Sequence, residues 1–387
     1  MIPVFHARAA RASAAFAAVL LAASLQAVQV RLGTPAAIVY AGVVIAAAFL
    51  PARTLRSTAR ALSARPHLWL ALLTGLLVAA FAVVYPVANR GALGGGSDRD
   101  DALNLAVRAL LRDGMPYRER TYLGNPVTPL PGALVLAMPF VLLGNAALQV
   151  LFWVPALAVS VGRAVRDRGA GLLLVAAALL LCPDALRDVL GGGDYFANAA
   201  YVVVALVAAH EAARVRAGVW IEIGAAALLG LALFSRPNFV LLWPLAAASL
   251  ARVAGRRGAL LAVVAAAVGG AVTLPLYLAD PAGFTPLHTA DKLRQFDQIV
   301  PHAAFWITSA TAAAAVLLPL RSAGGRLDVL LFHCACVQAV PLAAAAVLAL
   351  HPSYRAFSDL TGSAALLVPL ALVPFWCARA TAGSGTA

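Results

Sequence analysis

The chain has 387 residues; 63% are hydrophobic and only 12% carry a formal charge. That is too little charge to cover a water-soluble globule, and too much apolar surface for a disordered chain, a collagen-like fibre or a small disulfide scaffold. The net charge of +13 suggests nucleic acid only if the basic residues gather on one soluble face, and their placement, given below, speaks against such a partner.

Apolar stretches recur along the chain at 13–30, 35–51, 67–86, 146–162, 169–183, 197–211, 218–234, 238–251, 258–278, 304–320, 328–349 and 361–377. Most approach the length that crosses roughly 30 Å of hydrocarbon. They show no period-2 alternation, so the prediction is an all-α polytopic membrane protein of about twelve transmembrane helices, not a β-barrel. Residues 1–387 are read as a single integral membrane domain. Arg8 and Arg11 precede an apolar run from Ala14 to Ala23, as in a secretory signal. A second apolar run follows at once, and an uncleaved signal-anchor helix is expected. Cys182, Cys334, Cys336 and Cys377 lie in or beside apolar runs, with no zinc or CxxC spacing. They are read as small buried side chains, and no metal site or cofactor is expected.

The positive-inside rule orients the spans. With the N-terminus in the cytoplasm, the inner segments hold 17 basic and 4 acidic residues, and the outer segments 12 of each. The whole net charge then falls on the cytoplasmic turns, with both termini cytoplasmic in a multi-pass plasma-membrane protein. Residues 131–143 are apolar but short, and counting them as a span would invert every later loop. They are therefore expected to form a re-entrant or interfacial helix opened by Pro131.

The outer segments are chemically richer, the largest being an extracytoplasmic loop over 87–145. In it Ser97 and Asp98 are N-cap candidates. Leu103, Ala106, Val107, Leu110 and Leu111 recur with helical spacing, closed by Gly114. This pattern predicts an amphipathic helix lying flat at the membrane interface. It would present Asp98, Asp100 and Asp101 at its N-terminal end. Further outer pieces carry Asp194 and Tyr195 after a triple glycine, then Ser235-Arg236-Pro237-Asn238. The remaining ones carry His288, Lys292 and Arg294, and finally Arg355.

The run from Asp98–Asp101 through ALNLAVRALL, Gly114-Met115-Pro116-Tyr117 and the Pro-rich turn Asn125 to Pro131 resembles the GT-C superfamily of membrane glycosyltransferases. Within it the chain is similar to the family 87-like, polyprenyl-phosphate-mannose-dependent mannosyltransferases of actinobacteria. The resemblance covers roughly residues 95–140 and departs where Ala102, not an aromatic, follows Asp101. Two additional helices also precede the acidic loop. It implies a sugar, mannose, moved from a polyprenyl-phosphate donor to a lipid or glycan acceptor on the outer face, with no nucleic acid involved.

For such an inverting displacement a carboxylate deprotonates the acceptor hydroxyl. Asp100, Asp101 and Asp98 are the candidates. The helix N-terminus and Arg99 are expected to lower their pKa values. Arg236, Lys292, Arg294 or Arg355 would hold the donor phosphate in a bidentate fork. Tyr117, Asp194, Tyr195 and His288 would contact sugar or acceptor. The plain alternatives are capping for each Asp, snorkelling for Arg236 and interfacial placement for the tyrosines. The alternative function is a secondary transporter or flippase of a lipid-linked or small polar solute.

Overall fold

The computed structural model describes residues 2–89, 97–112, 114–320, 325–348 and 363–381. Among them every regular element is helical, and the nearest approach to a strand is an isolated bridge between Arg120 and Pro126. Long Ala/Leu/Val runs satisfy their own backbone hydrogen bonds as helices, which a hydrocarbon environment requires.

The first helix, α1 (Ile2–Ala48), is two arms joined at Gly33, whose φ of 84° and ψ of 168° are non-helical. The Tyr40 hydroxyl donates to the Leu20 carbonyl at 3.3 Å and the Leu181 carbonyl at 2.8 Å. Twenty residues of continuous helix would set Tyr40 and Leu20 about 30 Å apart, so the chain folds back at Gly33. The short amphipathic α2 (Ala52–Ser63) follows, with Arg53, Arg56 and Arg60 on it and Ala59 buried. Then come α3 (Pro66–Asn89), α4 (Arg99–Arg112), α5 (Pro131–Leu142) and α6 (Gln149–Ala164).

Next, α7 (Arg168–Leu181) and α8 (Pro183–Leu190) meet at a 95° bend. Cys182 leaves the helical region there, and Pro183 takes the first position of α8, where its missing N–H costs nothing. The chain continues through α9 (Tyr195–Val215), α10 (Val219–Leu233), α11 (Pro237–Val240), α12 (Trp243–Ala254) and α13 (Arg256–Ala279). The last are α14 (Asp291–Arg294), α15 (Ala303–Leu320), α16 (Leu327–Leu348) and α17 (Leu367–Thr381).

Among the described residues eight helices are long and apolar enough to cross a membrane, or nine if α7 and α8 are one bent span. Among the described residues the twelve apolar stretches read from the sequence are largely helical, with 169–183 and 238–251 each broken between two helices. Burial sorts them: 83% of the apolar window of α9 is buried, against 11% for α3. α9 is therefore the central post, and α3 turns an apolar face outward, with Leu72, Leu76 and Val83 exposed.

Both ends of α9, about 30 Å apart, collect polar contacts. At its C-terminal end the His210 ring meets the Gly325 carbonyl at 2.7 Å. Arg8 pairs with Asp328 at 3.7 Å, Ser63 donates to Asp167 at 2.7 Å and Arg252 donates to the Pro319 carbonyl at 2.5 Å. Arg379 reaches the Leu50 carbonyl. The segments expected on the cytoplasmic side thus meet one another there. The N-terminal end of α9 joins α3, α4, α8 and the 235–238 junction.

The helix expected to lie flat on lipid, α4, packs its apolar face against protein. Leu103, Ala106 and Val107 form a second core with Val127, Ala133, Leu134 and Ala137. This docking follows from α5: a Cβ at Gly132 would overlap the Leu231 and Phe234 carbonyls, so the glycine lets α5 seat directly on the end of α10. The Gly132 and Leu130 N–H groups donate to Phe234 and Ser235 carbonyls at 3.0 and 2.9 Å. Twelve residues of α5 rise only about 18 Å, short of the hydrocarbon thickness.

Candidate functional site

The site grows from the start of α4. The Ala102 N–H closes the first turn on the Asp98 carbonyl at 2.8 Å, and the Ser97 hydroxyl accepts the Arg99 N–H at 3.3 Å. Successive helical residues point about 100° apart, so neighbouring acids take different surroundings. Asp98 accepts from the Thr121 hydroxyl at 2.6 Å and the Asn125 amide at 2.7 Å. Asp101 accepts the Tyr122 N–H at 3.0 Å. Both carboxylates therefore tie down the 120–126 turn.

Asp100 points into the protein and is only 3% exposed. Its Oδ2 accepts the Tyr85 hydroxyl at 2.5 Å, and its Oδ1 has no hydrogen-bond partner among the described residues. The Tyr85 oxygen in turn accepts from Asn145 at 2.6 Å, Asn145 Oδ1 from Asn104 at 3.1 Å, and Asn104 Oδ1 from the Ala146 N–H at 2.8 Å. A chain of oriented amides thus holds the phenol against the carboxylate. Gly192, at φ +78°, makes room for it: a Cβ there would sit 2.7 Å from the Tyr85 ring and 3.1 Å from the Asp100 carboxyl carbon. The second glycine triplet is required by this close approach as well as by the turn.

Burial pushes the Asp100 carboxyl up to about 6, against the Tyr85 hydrogen bond, which lowers it. This corrects the expectation of a depressed pKa. Arg99 turns away from Asp100, and removal from water outweighs the helix N-terminus.

Arg99 instead enters a buried ionic network. It donates to Asp188 at 2.9 Å, lies 3.9 Å from Asp194, and places its guanidinium 3.5 Å from the centre of the Tyr195 ring. Arg236 pairs with the other Asp194 oxygen, which also accepts from Asn198 at 3.1 Å. Asp188 Oδ2 accepts the Phe196 N–H at 2.9 Å. Two guanidiniums and two carboxylates therefore balance around one phenol ring, as buried charges must. Arg236 Nε, also buried, has no hydrogen-bond partner among the described residues.

Of the residues singled out from the sequence, Asp100, Asp194, Tyr195 and Arg236 come together, and Asp98 and Asp101 border them. Tyr117 does not join: it is buried in the second core, donates to the Pro129 carbonyl at 3.1 Å and packs edge-on to Phe284. Arg294 is exposed on α14. Arg355 and the side chains of His288 and Lys292 lie outside the described residues. Sequence reasoning missed Tyr85, Asn104, Asn145, Asp188 and Asn198 as members of the site. Asp188 carried a signal, an acid six residues before Asp194 across the triple glycine. Tyr85 and the asparagines carried none.

Among the described residues no group of three His, Cys, Asp or Glu side chains is placed to hold a metal ion. Compared with family models, with curated proteins and with solved structures, the chain matches none.

Proposed function

We propose that the chain is a GT-C-type membrane glycosyltransferase that moves mannose from a polyprenyl-phosphate donor to a lipid or glycan acceptor. In this reading it sits in the plasma membrane with twelve crossings and both termini cytoplasmic. The twelve are the long apolar helices, with α1 counted as two arms and α7–α8 as one crossing, together with α10 and the final helix. The α9 end with Asp100 then faces outward.

The observation that carries this reading is Asp100, a buried carboxyl with a pKa raised to about 6, on the helix start from which Arg99 reaches into the network of Asp188, Asp194 and Arg236. A base with that pKa is stronger than an ordinary carboxylate yet mostly ionised at neutral pH. Asp100 takes the proton of the acceptor hydroxyl, and the oxygen attacks the anomeric carbon from the face opposite the phosphate. The carbon–oxygen bond to phosphate breaks, its electron pair leaves with polyprenyl phosphate, and the anomeric centre inverts. Arg236 and Arg99 receive the phosphate charge, exchanging part of their pairing with Asp194 and Asp188 for it. Tyr85 positions the base.

Transport fits the charge placement less well. The sequence of α9 carries no charged residue between Tyr195 and His210, whereas transporters place ionisable groups near the midplane. The test is transfer of labelled mannose by the purified chain from a polyprenyl-phosphate donor to a lipid acceptor. Solute uptake into proteoliposomes without any sugar transfer would overturn the proposal.

A further inference from the structure

At the arginine-rich end of the bundle, α3, α6 and α7 enclose a cavity of about 180 Å³. Its polar rim is Arg163, Arg168 and His67, and its wall is Leu70, Val159 and Leu172. The cavity follows from a close helix crossing. A Cβ at Gly171 would overlap the Ala158 carbonyl, and one at Gly162 would sit 3.1 Å from the Arg168 Cα. The two glycines bring α6 and α7 together at their turn and leave a cleft against α3.

The rim arginines, Arg163 and Arg168, are exposed, and neither side chain has an ion pair or hydrogen bond among the described residues. The neighbouring acid, Asp167, is occupied: its Oδ1 accepts the Ser63 hydroxyl at 2.7 Å and the Ala170 N–H at 3.1 Å, capping α7. Below the rim the apolar wall continues onto the outward face of α3 through Trp69, Leu72 and Leu76, all exposed. A small anion would use the arginines and leave this wall bare. A molecule with an anionic head and a long apolar tail fits both.

We propose that this cleft binds an anionic phospholipid, with its phosphate on Arg163 and Arg168 and an acyl chain along Leu70, Val159 and Leu172. The inference rests on the membrane reading and is independent of the transfer chemistry at the other end. Basic residues beside an anionic leaflet each strengthen lipid binding by about fivefold.

The test uses the full chain in neutral detergent, with lipid binding read by native mass spectrometry and by the unfolding midpoint. Phosphatidylglycerol should bind and raise the midpoint, phosphatidylcholine should do so weakly, and inorganic phosphate should not compete. The double variant Arg163→Gln/Arg168→Gln should weaken phosphatidylglycerol about thirtyfold, and the double lysine variant should retain most of it. Val159→Trp, which fills the wall and leaves both arginines, should also weaken it, and carries the test if the glutamine variant does not fold. Equal binding of the two lipids, full binding by the glutamine and tryptophan variants, or displacement by phosphate would each overturn the proposal. The last outcome would mark a small-anion site.

Discussion

The two ends of α9 use charge in opposite ways. At the C-terminal end, arginines mostly cap carbonyls or pair at the surface, Arg252 on Pro319, Arg379 on Leu50 and Arg214 with Glu211, and the buried acid there, Glu222, pairs with a part-exposed Arg257. At the N-terminal end, Asp100, Asp188 and Asp194 lie inside the protein with Arg99 and Arg236 among them. An exposed pair is solvated whether or not it forms and contributes little. A buried pair commits both partners, because losing one leaves the other charged in a low-dielectric site. The first arrangement suits orientation in a membrane. The second holds its partners in fixed places, and the proposed transfer site is built on it.

The largest expected effect breaks the site without breaking the fold. Asp100→Asn should lower mannose transfer by about 10²–10⁴-fold while the protein elutes and melts as folded. Asp98→Asn and Asp101→Asn, which loosen the 120–126 turn, should cost far less; equal losses in all three would remove Asp100 from its special place. Asp194→Asn leaves Arg236 buried without its main counter-ion and should destabilise the chain by about 3–5 kcal/mol, read by thermal unfolding. Arg214→Ala, at the opposite end, should cost less than about 1 kcal/mol in the same assay. If the two losses match, the contrast between the ends fails.

Two pH measurements sharpen it further. The Asp100 pKa is higher folded than unfolded, so the folded state binds the extra proton between about pH 4 and 6. Its stabilising contribution is full below about pH 4 and is lost as pH rises through about 6. Asp100→Asn should therefore melt above the parent at pH 8, by up to ~3 kcal/mol, with the gain vanishing near pH 4. The parent's transfer rate should fall about tenfold per unit below pH 6 as the base is protonated. Tyr85→Phe removes a hydrogen bond that lowers the Asp100 pKa, so its acid limb should move to higher pH with a modest loss of rate. An unmoved limb would separate Tyr85 from the base.

Much of the plan is local and was open to reading. The amphipathic run of α4, its closing Gly114 and the short α5 behind Pro131 follow from periodicity and from punctuation by glycine and proline. The direction of the Asp100 pKa leaves no mark in the acidic run. It follows from burial of the carboxyl among distant parts of the chain, Tyr85 and Gly192 among them, 15 and 92 positions away. The apolar stripe of α4 is legible in the sequence, but that Leu103, Ala106 and Val107 pack on α5 is not. A stripe says that something covers it, and α5 competes with lipid for the place.

The sequence alone determined that this is a helical membrane protein, roughly where its helices lie, and which turns are basic. Hydrocarbon imposes those features residue by residue, through segment length and backbone satisfaction. Tertiary structure decided which carboxylate is buried, which arginine faces which acid, and that α1 reverses at Gly33. Those outcomes rest on side-chain directions set at 100° steps and on contacts such as Arg99 with Asp188, 89 residues apart. Packing assembles such pairs, and no local pattern records them.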